Sequence, residues 1–282
     1  MFPTTAVRAG WHRGIIELRQ TFTNAQELFG QLFWPVLLLV ALFFMRDSEF
    51  SDTGISLAAL ALPGVVGMTI AFNGMMGMSG SLAIDREDGT LLRAKAIPHG
   101  MVSYLVGKVV TVTGWVVAGV LLLLVPGAFL VGDLALGSAG AWLTLTWVVL
   151  LGATAMLPMG AVLGSLIANP RSQGLVMLPL SGLAAISGIF YPITAMAGWL
   201  QVVAQVFPVY WLGIGLRSAL LPDEAAAVEL TGSWRAVETV AVLGVWAVAG
   251  LVLAPVVLRR MARRESGSSV AARREKAMQR IG

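Results

Sequence analysis

Six stretches of the chain are apolar and long enough to cross a lipid bilayer. A hydrocarbon core about 30 Å thick calls for about 20 apolar residues in a helix rising about 1.5 Å per residue. Windows of that kind run over 28–45, 58–84, 104–127, 142–168, 173–190 and 236–258. The connections between them are too short for a soluble domain. The pattern therefore predicts an all-α integral membrane fold with six transmembrane helices.

Ahead of the first window, Val7, Trp11, Ile15, Leu18 and Phe22 recur at helical steps, with Arg8, Arg13, Glu17 and Arg19 between them. This is the spacing of an amphipathic helix. It is expected to lie along the inner membrane surface, in contact with lipid; packing of the same face on a soluble partner is the alternative. A second irregularity is the window from Ser172 to Leu216, which carries no charge. As one helix it would reach about 68 Å, more than twice the hydrocarbon thickness, so it must turn back. Gly188, Pro192 and Pro208 supply break points. A short helical pair, near 194–206 and 210–220, is expected to re-enter the outer leaflet before the last span. Such turns at membrane depth need burial in protein. The whole chain, 1–282, reads as one membrane domain: an interfacial helix over 1–27, a six-helix region over 28–258 and a basic cytoplasmic tail over 259–282.

Charge refines this picture. The 282 residues are 57% hydrophobic and 12% charged, with 19 Lys and Arg against 15 Asp and Glu, a formal net charge of +4. Eight of those cations follow Leu258, behind an apolar segment, which points to a membrane-surface anchor for anionic lipid rather than to nucleic acid. Positive loops stay cytoplasmic. With both termini inside the plasma membrane, sixteen Lys and Arg fall on the inner side and only Arg46, Arg217 and Arg235 outside. Lys108 is assigned to the second inner segment, so the spans read as free of ionisable side chains, which argues against proton or ion coupling. The first apolar run continues without a small-residue cleavage site and is expected as a helix rather than a signal peptide.

Several chemistries have no residues to support them. There is no cysteine, so disulfides, thiolate catalysis and Cys metal sites are excluded. The Gly77-Met78-Ser79-Gly80 pattern of a serine nucleophile has no base near it, since His12 and His99 lie outside the spans; the small residues there are expected to allow close helix contact. No phosphate-cradling G-x-x-x-x-G-K-[ST] occurs. The chain is not expected to be an enzyme or to hold a cofactor; if ATP drives it, ATP and Mg sit on another polypeptide.

The densest cluster of charge lies in Asp85-Arg86-Glu87-Asp88-Gly89-Thr90-Leu91-Leu92-Arg93-Ala94-Lys95-Ala96-Ile97-Pro98. This stretch resembles the E-R-E-x-G-T-L-E-x-L-x-x-x-P that follows the second membrane helix in ABC-2 permeases of the ATP-binding-cassette class. It departs at Asp85 for the first Glu, Leu92 for the later Glu and Ala94 for Leu. A second block, Ser187-Gly188-Ile189-Phe190-Tyr191-Pro192, then Trp199-Leu200, Phe207-Pro208-Val209-Tyr210 and Arg217, is similar to that family's S-G-x-x-x-P…W-L…P-x-x-Y…R region, with Gly198 where Pro is usual before the Trp.

The resemblance implies that residues 85–97 form a cytoplasmic coupling helix seated in an ATP-binding subunit. Asp85, Arg86, Glu87, Asp88, Gly89, Thr90, Leu91, Leu92 and Arg93 would make the contact, since charge-assisted bonds fix register and apolar anchors such as Leu91, Leu92 and Ile97 exclude water. A solvated loop that merely enforces orientation is the plainer alternative. The resemblance also implies that the second and fifth helices of two permease copies line the path. Thr69, Phe72, Asn73 and Met76 share one face of the second, with Met177, Ser181 and Ile186 as counterparts on the fifth. Met and Phe repack around varied apolar guests, although such a stripe also serves ordinary packing. Tyr191, Pro192, Trp199, Phe207, Pro208 and Tyr210 are candidates for an outer gate or an interfacial aromatic belt. The expected function is that of a permease in an ATP-driven exporter of a hydrophobic drug, antibiotic or lipid-like compound, working as two identical or paralogous copies with two ATP-binding subunits. Export of a lipid-linked glycan, or a scaffold or sensor role without transport, are the competing readings.

Overall fold

Helix boundaries follow the pattern of apolar windows closely, and the helix in the fifth ends at Ile186 rather than near 190. The computed structural model describes residues 4–48, 56–132, 134–166, 174–190 and 193–264. Among them run ten α-helices: α1 (Thr4–Thr23), α2 (Ala25–Met45), α3 (Leu57–Glu87), α4 (Thr90–Lys95), α5 (Gly100–Val131), α6 (Ala139–Leu166), α7 (Gly174–Ile186), α8 (Gly198–Val206), α9 (Pro208–Leu220) and α10 (Ala236–Arg264). Five of them, α2, α3, α5, α6 and α10, are long and apolar enough to cross a membrane, and the bent pair of α8 and α9 would make a sixth if counted as one span.

Residues 167–173 lie outside the described residues; within the fifth expected window, 173–190, helix α7 runs for 13 residues from Gly174. It stops because the Ser187 hydroxyl donates to the Ala184 carbonyl at 2.8 Å and Gly188 adopts a φ of 62°, a left-handed turn that a Cβ would oppose. The expected re-entrant pair is present as α8 and α9, bent by 88°. Pro208 sits at the start of α9, where its missing N–H costs nothing. Arg171, Tyr191, Pro192 and the tail beyond 264 lie outside the described residues.

Helix α3 is the central post, packed against α5, α6 and α9. Along its seam with α6, Gly152 faces Ile70, Gly74 faces Met156, Gly160 lies on the Met75 backbone and Gly164 faces Ser79. Residue numbers rise together, so the helices are parallel. Small residues let the backbones approach, and dispersion rather than the hydrophobic effect holds spans together in lipid. A Cβ at Gly164 would stand 2.7 Å from the Ser79 Cα, and one at Gly160 would strike the Met75 carbonyl oxygen. Gly160→Ala is therefore expected to destabilise the fold by about 1–3 kcal/mol, read as a lower melting temperature in detergent; an unchanged melting temperature would show that the seam is loose.

The amphipathic helix α1 does something its apolar stripe did not announce. Its buried residues are Ala6, Gly10 and Gly14, four apart, while Val7 and Trp11 remain exposed. Gly10 lies on Ser103 and Val106, Gly14 on Gly107 and Val110, Leu18 on Gly114, and the Phe22 ring stacks on Trp115 at 4.8 Å. Helix α1 thus runs parallel to the first half of α5. The small-residue face makes the joint, and Val7 and Trp11 are left on the outside.

The start of α1, the short α4 and the end of α10 share one end of the bundle, because Gly10 meets Ser103 near the start of α5 and α4 touches α10. The opposite end holds the α8–α9 pair. There α9 is buried along its length except at Ser218, enclosed by α3, α6 and α10.

Candidate functional site: a charged elbow and an apolar cleft

Three groups of residues are brought together: an elbow between α3 and α5, a cleft beside α3, and a clamp at the far end. At the elbow, α3 ends at Glu87, and Gly89 takes a φ of 78°, a left-handed conformation that reverses the chain into α4. The Asp88 carboxylate accepts from the Thr90 N–H at 2.7 Å, and Arg93 donates to the Thr90 hydroxyl at 2.8 Å and the Asp88 carbonyl at 3.3 Å. The segment is thereby tied to itself. Arg86 reaches back to the Ser165 carbonyl on α6 at 3.4 Å.

Not every residue expected to meet a partner faces outward. Leu91 is buried in the chain's own core together with Ala94, and Gly89 is buried in the turn. Asp85 is 6% exposed, accepts from the Tyr104 hydroxyl at 2.7 Å and pairs with Lys108 Nζ at 2.9 Å. Lys108, 3% exposed, also pairs with Glu17 of α1. Asp85, Leu91 and Gly89 thus hold the elbow from inside. Asp88, Arg93, Lys95 and Ile97 are exposed, and Arg86, Glu87, Thr90 and Leu92 are half-buried.

This cluster corrects the reading that the spans lack ionisable groups. Lys108 belongs to α5 and Asp85 to α3, and their charges are buried. A cation taken out of water is tolerated only with partners and hydrogen bonds, which Asp85 and Glu17 supply from two other helices. The signal was available: a Lys inside an apolar window demands a carboxylate. Which carboxylate could not be read, because Glu17 lies 91 residues away.

Beside α3 lies a cleft of about 530 Å³, bounded by α2, α3 and α5 with contributions from α1 and α7. Thr69, Phe72, Asn73 and Met76 line it, as does Met177. Ser181 and Ile186 do not: Ser181 is exposed on α7 and Ile186 half-buried at its end. The walls that were missed are Gln31, Trp34 and Pro35 on α2 and Trp115 and Gly119 on α5; no periodicity links those helices to the α3 face.

At the far end, Arg217 of α9 is fully enclosed. Its Nε donates to a Glu229 carboxylate oxygen at 2.6 Å, and its Nη1 to the carbonyls of Gly188 and Ile189 at 3.1 and 3.3 Å. It was counted among the outer-side cations, within the helix expected over 210–220; its bonds to the Gly188 and Ile189 carbonyls hold the turn after α7. The elbow of α8 and α9 is held as well: Phe207 stacks on Trp246 at 6.1 Å, and Arg235 donates to Gln205 at 2.6 Å while lying over the Trp211 ring. Among the gate candidates, Pro208 and Tyr210 are buried, Phe207 is half-buried and Trp199 is exposed.

Helices of this length and apolarity, crossing in parallel and antiparallel with a re-entrant pair at one end, define a multi-pass α-helical membrane protein. The sequence profile of the ABC-2 type transporter matches residues 6–221, from α1 through α9, and the chain belongs to that family. The family's domain is the transmembrane component of the transporter, distinct from its ATPase, and generally works with an ATP-binding subunit. A search of curated proteins returned no match.

Proposed function

We propose that this chain is the membrane permease of an ATP-driven exporter, two copies joining two ATP-binding subunits to move a hydrophobic compound out of the cell. The observation that carries the reading is the elbow. Helix α4 is a six-residue helix braced from within by Asp85, Lys108 and Leu91, and it presents Arg93, Lys95 and Ile97 outward beside the half-buried Glu87. A rigid knuckle of mixed charge with one apolar tip is what a soluble subunit can grip and push. The same internal pairs tie α1 to α3 and α5, the two helices on which α4 rests, so a push at the elbow reaches the helices that wall the cleft. The exposed aromatic side of α2, with Phe33, Trp34 and Phe44, suits lipid or a second copy.

Co-expression with a candidate ATP-binding subunit tests this. The wild-type pair is expected to copurify and to hydrolyse ATP faster when cargo is added. Glu87→Lys is expected to abolish transport and that stimulation while leaving insertion intact. Normal transport by the variant would reject the elbow as the coupling element, and a complex indifferent to every cargo would favour a scaffold.

A further inference from the structure

The cleft between α2, α3 and α5 draws its walls from these three helices of one copy, with α1 and α7 at its edge. Its volume of about 530 Å³ lies within the range that holds drug-sized molecules, about 300–1,000 Å³. Among the described residues, no Asp, Glu, Lys, Arg or His lines it, so an ion entering it would shed water and find no counter-charge on those walls. The guest is therefore uncharged. Side-chain amides and hydroxyls on the wall come from Gln31, Thr69 and Asn73. Thr69 already donates its proton to the Val65 carbonyl at 2.9 Å. Asn73, half-buried on a membrane-crossing helix, makes no hydrogen bond with any described residue. Its amide faces Gly119, where a Cβ would stand 2.9 Å from Nδ2, so the absent side chain leaves the amide its room. A carboxamide at membrane depth without a partner is costly, and a guest carbonyl or hydroxyl would satisfy it.

Resting on the exporter reading, we infer that each copy binds its own cargo molecule in this cleft, an uncharged and largely apolar compound whose carbonyl or hydroxyl is held by the Asn73 amide. A pair of permeases then carries two such sites, each walled by α5 as well as by α2 and α3, in addition to any path between the copies.

The probe is benzophenone, an uncharged aromatic ketone that on near-ultraviolet irradiation inserts into nearby C–H bonds, those of methionine above all. The purified full-length chain, in nanodiscs of neutral phospholipid without any ATPase, is irradiated with it, and the crosslinks are mapped by mass spectrometry. Adducts are expected at Met68, Met76 and Met177. Asn73→Leu should cut them about tenfold, the loss of one hydrogen bond, while Asn73→Gln, which keeps an amide, should retain most of them. The anionic para-benzoylbenzoate should leave these methionines unlabelled. Adducts spread evenly over lipid-facing helices would overturn the inference. So would labelling untouched by Asn73→Leu, as an acyl chain filling the cleft would give, or equal labelling by the anion. Because the readout needs no ATP, labelling without transport would sink the exporter reading and keep the site; transport without labelling would do the opposite.

Discussion

Arg217→Met is expected to lower the stability of the purified chain by about 3–5 kcal/mol, the cost of removing one partner of a buried ion pair. Arg217 is enclosed with Glu229, so its loss strands a buried carboxylate. It also uncaps the carbonyls of Gly188 and Ile189, to which Arg217 donates. A lysine cannot substitute, because its single ammonium lacks the planar fork that bonds a carboxylate on one side and two carbonyls on another. The double variant Arg217→Met with Glu229→Met separates the two losses. Removing both ions is often neutral, so the double variant should regain part of the stability and stay below wild type by the worth of the lost caps. Thermal melting in detergent reads all three. A single variant that melts with the wild type would show that the pair is not buried in the folded protein.

The second large effect is expected at the other end of the bundle. Lys108→Met removes the cation between Asp85 and Glu17 and leaves two carboxylates facing an apolar side chain. A cost of about 3–5 kcal/mol follows from the same rule, and the folded yield in membranes should drop accordingly. Asp85→Asn in the same chain is the discriminating rescue: the neutral amide can still accept from Tyr104, and Glu17, partly exposed, can turn to water. Recovery of most of the yield would assign the damage to stranded charge. If the double variant is no better than the single, Lys108 acts through packing and the electrostatic account fails.

These two clusters mark where the sequence could and could not be read. Spans were legible because hydrocarbon thickness imposes a length that one can count, and α3, α5, α6 and α10 start and stop near the counted positions. The elbow was legible because mixed charge in an apolar chain has few physical excuses. The direction in which each elbow residue faces was not, since Asp85 turns inward only because Lys108 and Tyr104 stand opposite on α5. At α7, Gly188 was legible as a break point although apolarity continues past Ile186, whereas the Arg217 that donates to the Gly188 carbonyl from a distant helix was not. The α3 wall of the cleft followed from helical spacing. Its α2 and α5 walls belong to helices far apart in the chain, and that pairing is a tertiary fact. The α1 joint was overlooked because hydrophobic patterns weigh large side chains, whereas Ala6, Gly10 and Gly14 hold the helix by being small.

That joint also sets an order of events during synthesis. The groove that receives α1 is built from residues 103–115, about ninety positions later than the ridge that fills it. At about 5–20 residues per second, the ribosome needs about 5–20 s to deliver it. During that interval the first helix has no berth, and it can settle only once α5 has been threaded into the bilayer. The joint therefore assembles back to front: α1 is made before α2, α3 and α5, yet it finds its place only after all three.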